Sequence, residues 1–202
     1  MFALIQATGW PIWPLLAASV IAVALIIERS VSLRRAKIVP PGLLEKVLAD
    51  LRQKGVSPEM INRVSAHSAL GQVLGAGLRN VNSSREVMKE AIEEAGRAVA
   101  HELERFLTTL GTIASISPLM GLFGTIVGMI DIFASQSASG TNPQQLAQGI
   151  SIALNTTGMG LVIAIPATIF WRHYRALIDG FVIEMEQQAI RLVEVVHGDR
   201  RS

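Results

Sequence analysis

The chain has 202 residues, half of them hydrophobic and only 17% charged, with 18 Lys and Arg against 16 Asp and Glu for a net charge of +2. A mean hydropathy of +0.42 is too apolar for an ordinary soluble domain, which makes a membrane protein the working class. The absence of cysteine excludes disulfides and thiolate metal sites, and acids and bases that alternate rather than form a basic stripe argue against nucleic-acid binding in spite of a pI near 9.4.

The first element is an apolar run. No Asp, Glu, Lys or Arg occurs from Met1 to Ile27, and about 20 residues of helix cross the hydrocarbon core of a bilayer. The first span is therefore placed near Trp13 to Ile27, within a segment 1–32. Trp10 and Trp13 suit an interfacial anchor at its start. A cleaved signal peptide needs basic residues ahead of the apolar core, and here they follow it.

Residues 33–105 read as helical pieces separated by Pro40-Pro41 and by "KGVSPE". "GQVLGAG" from Gly71 fits neither dinucleotide nor phosphate-loop spacing, so its glycines are expected in a loop or at a helix-packing surface. Ser83 followed by Glu86 predicts a capping box that opens a longer helix. Beyond it, Ile92, Ala95, Val99, Leu103 and Phe106 recur at three- and four-residue steps, which describes an amphipathic helix in want of a partner. No strong stop follows, and residues 84–134 are expected to form one rod roughly 75 Å long.

Between Phe106 and Trp171 the only charged residue is Asp131. That run is long enough for two spans, placed at 106–134 and 147–171 with a short loop 135–146 between them. The second span spends Gly121, Gly124 and Gly128 on a helix, at about 1 kcal/mol each relative to alanine in water. Ala114, Ser117, Gly121, Gly124 and Gly128 step by 3, 4, 3 and 4 along one face, and Ala153, Thr157, Gly160, Ala164 and Ala167 by 4, 3, 4 and 3. Lipid gives helices no hydrophobic reason to associate, so two seams of small residues predict close backbone packing. The neighbour of each seam, the same chain or another copy, stays open. Thr125 and Thr157 lie on or beside the seams, with Asn155 and Thr156 close by. Such hydroxyls either bond backbone carbonyls or line a path for water and ions, and residue type alone favours the first. The final segment, 172–202, continues the third span as a partly buried helix through Phe181, Ile183, Met185 and Ile190.

All eighteen Lys and Arg residues fall either between Arg29 and Arg105 or between Arg172 and Arg201. Basic residues favour the cytoplasmic side, which predicts an outer N-terminus, a cytoplasmic 33–105 segment, an outer 135–146 loop and a cytoplasmic C-terminus. His67, His101, His173 and His197 are scattered, and "HELER" from His101 lacks the second histidine of a helical zinc pair. Neither a catalytic constellation, a metal site nor a cofactor is expected, so the chain is not read as an enzyme.

"SPLMGLFGTIVGMI" from Ser117 and "NTTGMGLVIAIPA" from Asn155 resemble the second- and third-span signatures of the MotA/TolQ/ExbB proton channel family, and the three-span layout resembles its ExbB/TolQ branch. The resemblance implies an all-α membrane protein that self-associates, as a pentamer, in the bacterial inner membrane. It further implies a single-span partner of the ExbD/TolR type carrying an intramembrane aspartate, and a TonB/TolA-like protein on which the motor works. By the same resemblance Thr125 and Thr157 line the proton pathway and face the partner's aspartate. Some members carry a glutamate where this chain has Ile152. The residues agree that an acid must come from elsewhere, since proton relays through a bilayer use ionisable side chains at depth and Asp131 sits near the outer end of its span. Glu28, beside Arg29 at the end of the first span, reads as one half of an interfacial ion pair. Two functions follow: a motor subunit driven by proton flow, or a passive membrane scaffold whose seams only assemble a complex.

Overall fold

The computed structural model describes Trp10, residues 12–136 and residues 143–198. Every regular element among them is helical: α1 (Ile12–Ser32), α2 (Arg35–Ile38), α3 (Leu43–Lys54), α4 (Pro58–His67), α5 (Ala69–Arg79), α6 (Arg85–Leu103), α7 (Leu107–Gln136) and α8 (Pro143–Val196). Half of the loop expected at 135–146, residues 137–142, lies outside the described residues, and the rest belongs to the ends of α7 and α8. Three helices are long and apolar enough to cross a membrane, over Ile12–Ser32, Leu107–Ala134 and Leu146–Val196. The protein is a multi-pass, all-α membrane protein.

The chain divides into two units, Met1–Glu28 with Phe106–His173, and Arg29–Arg105 with Tyr174–Ser202. In the first, Ile12, Leu15 and Ala22 of α1 are buried while Trp13, Val20, Val23 and Ile27 are exposed. Leu119, Leu122, Phe123, Ile126 and Ile130 of α7 and Leu154, Val162, Ile165 and Ile169 of α8 are exposed as well. In water this much bare apolar surface would drive association; in hydrocarbon it is the ordinary outer face of a helix. The Trp10 ring meets Phe123 edge-on, with centroids 6.0 Å apart.

The second unit is built around α5, whose Leu70, Val73, Leu74 and Leu78 are almost wholly buried. It packs against α4 on one side and α6 on the other. Helices α4 and α5 share Ser68, which ends one and caps the next, its Oγ accepting from the Gly71 N–H at 3.0 Å. The two axes lie so close that a methyl group on Gly71 would collide with the Val64 carbonyl oxygen, and one on Gly75 with the Ser65 hydroxyl. The glycines of "GQVLGAG" are thus helix-packing residues. Tyr174, Ile178, Phe181, Met185, Ala189 and Leu192 of α8 form the buried stripe of the C-terminal segment. Ile183 and Ile190, expected on that stripe, are 55% and 48% exposed, since the chain's true inward face runs through 174, 178, 181 and 185. Ser30 and Tyr174 hydroxyls lie 2.7 Å apart, and Arg35 pairs with Glu184 at 2.8 Å.

The continuous rod expected over 84–134 is absent. Helix α6 ends at Leu103, Phe106 takes a left-handed backbone (φ +66°), and a new ladder begins with the Leu110 N–H on the Phe106 carbonyl at 3.0 Å. A bulky residue at positive φ costs about 1–2 kcal/mol, and no glycine or proline marks the break in the sequence. The cap of α6 is Ser84 rather than Ser83, its Oγ accepting from the Val87 N–H at 3.4 Å.

Candidate functional site

Helices α7 and α8 meet through their small residues. A methyl group on Gly160 would lie 2.5 Å from the Ser117 carbonyl oxygen and 3.1 Å from the Gly121 Cα; one on Gly121 would lie 3.0 Å from both the Thr156 carbonyl oxygen and the Thr157 Cα. Backbone meets backbone at this point, and no side chain fits between. Toward the end of α7, Gly128 faces Ala153, whose Cβ a methyl would reach at 3.5 Å, and Gly124 between them is buried. At the other end a methyl on Gly111 would press on the Trp171 indole, with Nε1 at 2.9 Å. The two seams therefore face each other within one chain.

Both helices contain proline, Pro118 and Pro166, which removes one backbone hydrogen bond in each. Membrane helices tolerate this where neighbours or hydroxyls satisfy the freed groups. Here the hydroxyls turn back on their own helices: Thr112 Oγ1 donates to the Thr108 carbonyl at 2.8 Å, Ser115 Oγ to Gly111 at 2.6 Å, Thr125 Oγ1 to Leu122 at 2.6 Å, Thr156 Oγ1 to Ile152 at 3.3 Å and Thr168 Oγ1 to Ala164 at 2.8 Å. The Ser117 hydroxyl differs. It is buried at the helix contact with no hydrogen-bond partner.

Of the residues singled out in the sequence, Gly121, Gly160 and Thr157 come together at the closest approach. Thr125, half-exposed, stands one turn further along α7 from Gly121, and Gly128 lies another turn on. Thr156 is as deeply buried as Ser117, each at 1% exposure, while Thr157 is half-exposed at the edge of the contact. A register through Ala153, Thr156, Gly160, Ile163 and Ala167 keeps the three- and four-residue rhythm, and adjacent threonines make the two registers alike in composition. Ile152 is half-exposed and Asp131 exposed. No group titrates between Asp131 and Trp171, nor between Phe106 and Asp131.

Residues 65–187, which hold both seams, match the model of the MotA/TolQ/ExbB proton channel family. The chain belongs to the MotA/TolQ/ExbB proton channel family. It is 34% identical over 178 residues to the biopolymer transport protein ExbB-like 3 of Synechocystis sp., an alignment covering 86% of this chain and 85% of that one. Similarity to the biopolymer transport protein exbB1 of Vibrio cholerae is 31% over 80% of this chain and 73% of the relative, and to the Tol-Pal system protein TolQ of Pseudomonas aeruginosa 30% over 80% and 75%. Membership of the MotA/TolQ/ExbB family thus spans both the ExbB and the TolQ names, and the chain is a membrane subunit of the proton-channel class.

Proposed function

We propose that the chain is the proton-channel subunit of an ExbB/TolQ-type motor, which couples proton flow across the bacterial inner membrane to mechanical work on envelope partners. Its N-terminus and 135–146 loop face the periplasm, and 33–105 and 172–202 face the cytoplasm. Copies assemble as a pentamer around single-span ExbD/TolR-like helices, and a TonB/TolA-like protein receives the work. One observation carries this reading. Thr125 and Thr157 offer half-exposed hydroxyls beside a backbone-to-backbone contact, in a stretch of membrane helix whose only ionisable side chain is the exposed Asp131.

A proton cannot cross the apolar core by hydroxyls alone, so an acid from a partner must complete the path. Thr125 and Thr157 then position and hydrate that carboxylate. One proton falling through 100 mV delivers about 2.3 kcal/mol, enough to shift the population of two helix arrangements roughly fiftyfold. Proton flux into vesicles tests the reading. Vesicles holding this chain with an ExbD/TolR-like partner should conduct, and vesicles with this chain alone should not. Thr157→Val, which keeps shape and removes the hydroxyl, should leave assembly intact and abolish flux, whereas Thr108→Val should conduct normally. Flux from the chain alone would show that no partner acid is needed, and normal flux in Thr157→Val would remove that residue from the path.

A further inference from the structure

Within the unit of 29–105 and 174–202, a cavity of about 280 Å³ is lined by the last turn of α1, by residues of α4, α5 and α6, and by Arg105. Its volume is near the lower end of the roughly 300–1,000 Å³ of small-molecule pockets, room for a polar headgroup and little more. Arg29, Arg105, Ser32, Ser68, Gln72 and Glu102 give it its polar lining. Arg29 is 7% exposed, with Nη1 donating to the Leu103 carbonyl at 3.2 Å. That bond holds the guanidinium at the C-terminal end of α6. Ser68 accepts from the Gly71 N–H, a bond that does not use its hydroxyl proton.

Chain position sets the depth of the cavity in the bilayer. Arg29 stands in the last turns of α1, directly after a charge-free run that ends at Ile27, and Arg105 precedes α7 by two residues. Both guanidiniums belong at the level where lipid headgroups lie. We propose that this cavity binds the headgroup of an anionic phospholipid, with Arg29 and Arg105 on the phosphate, Ser32, Ser68 and Gln72 as further hydrogen-bonding groups, and the Glu102 carboxylate accepting from headgroup hydroxyls. The arginine fork matches phosphate oxygens in a way that lysine does not. A phosphoglycerol headgroup fits the donor and acceptor set. Phosphocholine does not, for it has no hydroxyl to give Glu102 and carries a cation toward two guanidiniums. The proposal is independent of whether the chain conducts protons.

The test uses the full chain reconstituted in bilayers of phosphatidylcholine with a minor fraction of phosphatidylglycerol, then exchanged into detergent, with retained lipid counted by mass spectrometry. Wild type should retain phosphatidylglycerol over phosphatidylcholine. Arg105→Gln, at an exposed arginine, should lower that retention roughly tenfold, the scale of one lost charge-assisted contact. Ala69→Phe, which fills the cavity without changing charge, should lower it comparably, and Arg97→Gln, an exposed arginine away from the cavity, should leave it unchanged. Arg29→Gln removes a buried structural contact too, so it is read only beside an unchanged helical signal. Equal retention in Arg105→Gln or in Ala69→Phe would overturn the site. Displacement of the lipid by soluble glycerol phosphate at matched concentration would overturn the lipid assignment, since it would show a site for free phosphate esters.

Discussion

The same hydroxyl groups do different work in the two units. In the unit of 29–105 and 174–202, Ser57, Ser68 and Ser84 sit before helices and accept from the N–H groups of Met60, Gly71 and Val87. In the other unit, Thr112, Ser115, Thr125, Thr156 and Thr168 sit inside helices and donate to carbonyls three or four residues back. Where water is near, the unmet need is an acceptor for the first N–H groups of each short helix. Within hydrocarbon the unmet need is the hydroxyl's own proton, and the nearest acceptor is the preceding turn. Solvent, rather than residue type, assigns the role.

Glycine shows the contrast from the other side, and substitutions can break it. The largest effect is expected for Gly160→Leu, whose side chain would have to pass through the Ser117 carbonyl. Loss on the order of 3 kcal/mol or more is expected, above the usual range for overpacking because backbone is the obstacle, read as loss of folded protein in a detergent melt. Leu122→Ile, on the exposed face of α7, should melt like wild type. Next comes Gly71→Ala. Helix propensity favours alanine by about 1 kcal/mol, but the added methyl collides with the Val64 carbonyl, and a net loss of about 1–2 kcal/mol is expected, seen as a lowered midpoint.

Ser68→Ala against Ser115→Ala sharpens the comparison of hydroxyls. The first removes a cap and should cost about 1 kcal/mol; the second removes a bond within one helix and should cost no more than about 0.6 kcal/mol. Equal losses in denaturation would mean that location does not set the hydroxyl's task. One substitution should bring a gain: Gly96 lies inside α6 with nothing within 4 Å of an added methyl, so Gly96→Ala should stabilise by about 0.5–1 kcal/mol.

The three spans were legible because charge is absent from long runs, and no tertiary detail can put 27 uncharged residues, Met1 to Ile27, to another use as economically. The glycine seams were legible for a similar reason, since few environments favour Gly121 and Gly160 in a helix. Their partner was not, because periodicity reports a face and never what covers it. Thr156 and Thr157 differ by one register step, and only coordinates tell which points into the contact. The break at Phe106 carried no sequence mark, its left-handed backbone being held by surroundings rather than by residue type. Roles for Thr125 and Thr157 were suggested by family resemblance, for a threonine in a membrane helix reads first as one bonded to its own backbone.

The shared Ser68 has a consequence for the order of events during synthesis. Contacts of Gly71 with Val64 and of Gly75 with Ser65 join residues seven and ten apart, and loops of about that length close in roughly 10–100 ns. The α4–α5 pair can therefore form as soon as it leaves the ribosome. Yet Gly77 of α5 packs on Leu192, which is fully buried in the finished unit. Leu192 is made more than a hundred residues later, on the order of 5–20 s at about 5–20 residues per second. For that interval, while the second and third spans are being made, the face of α5 that receives Leu192 has no α8 to cover it.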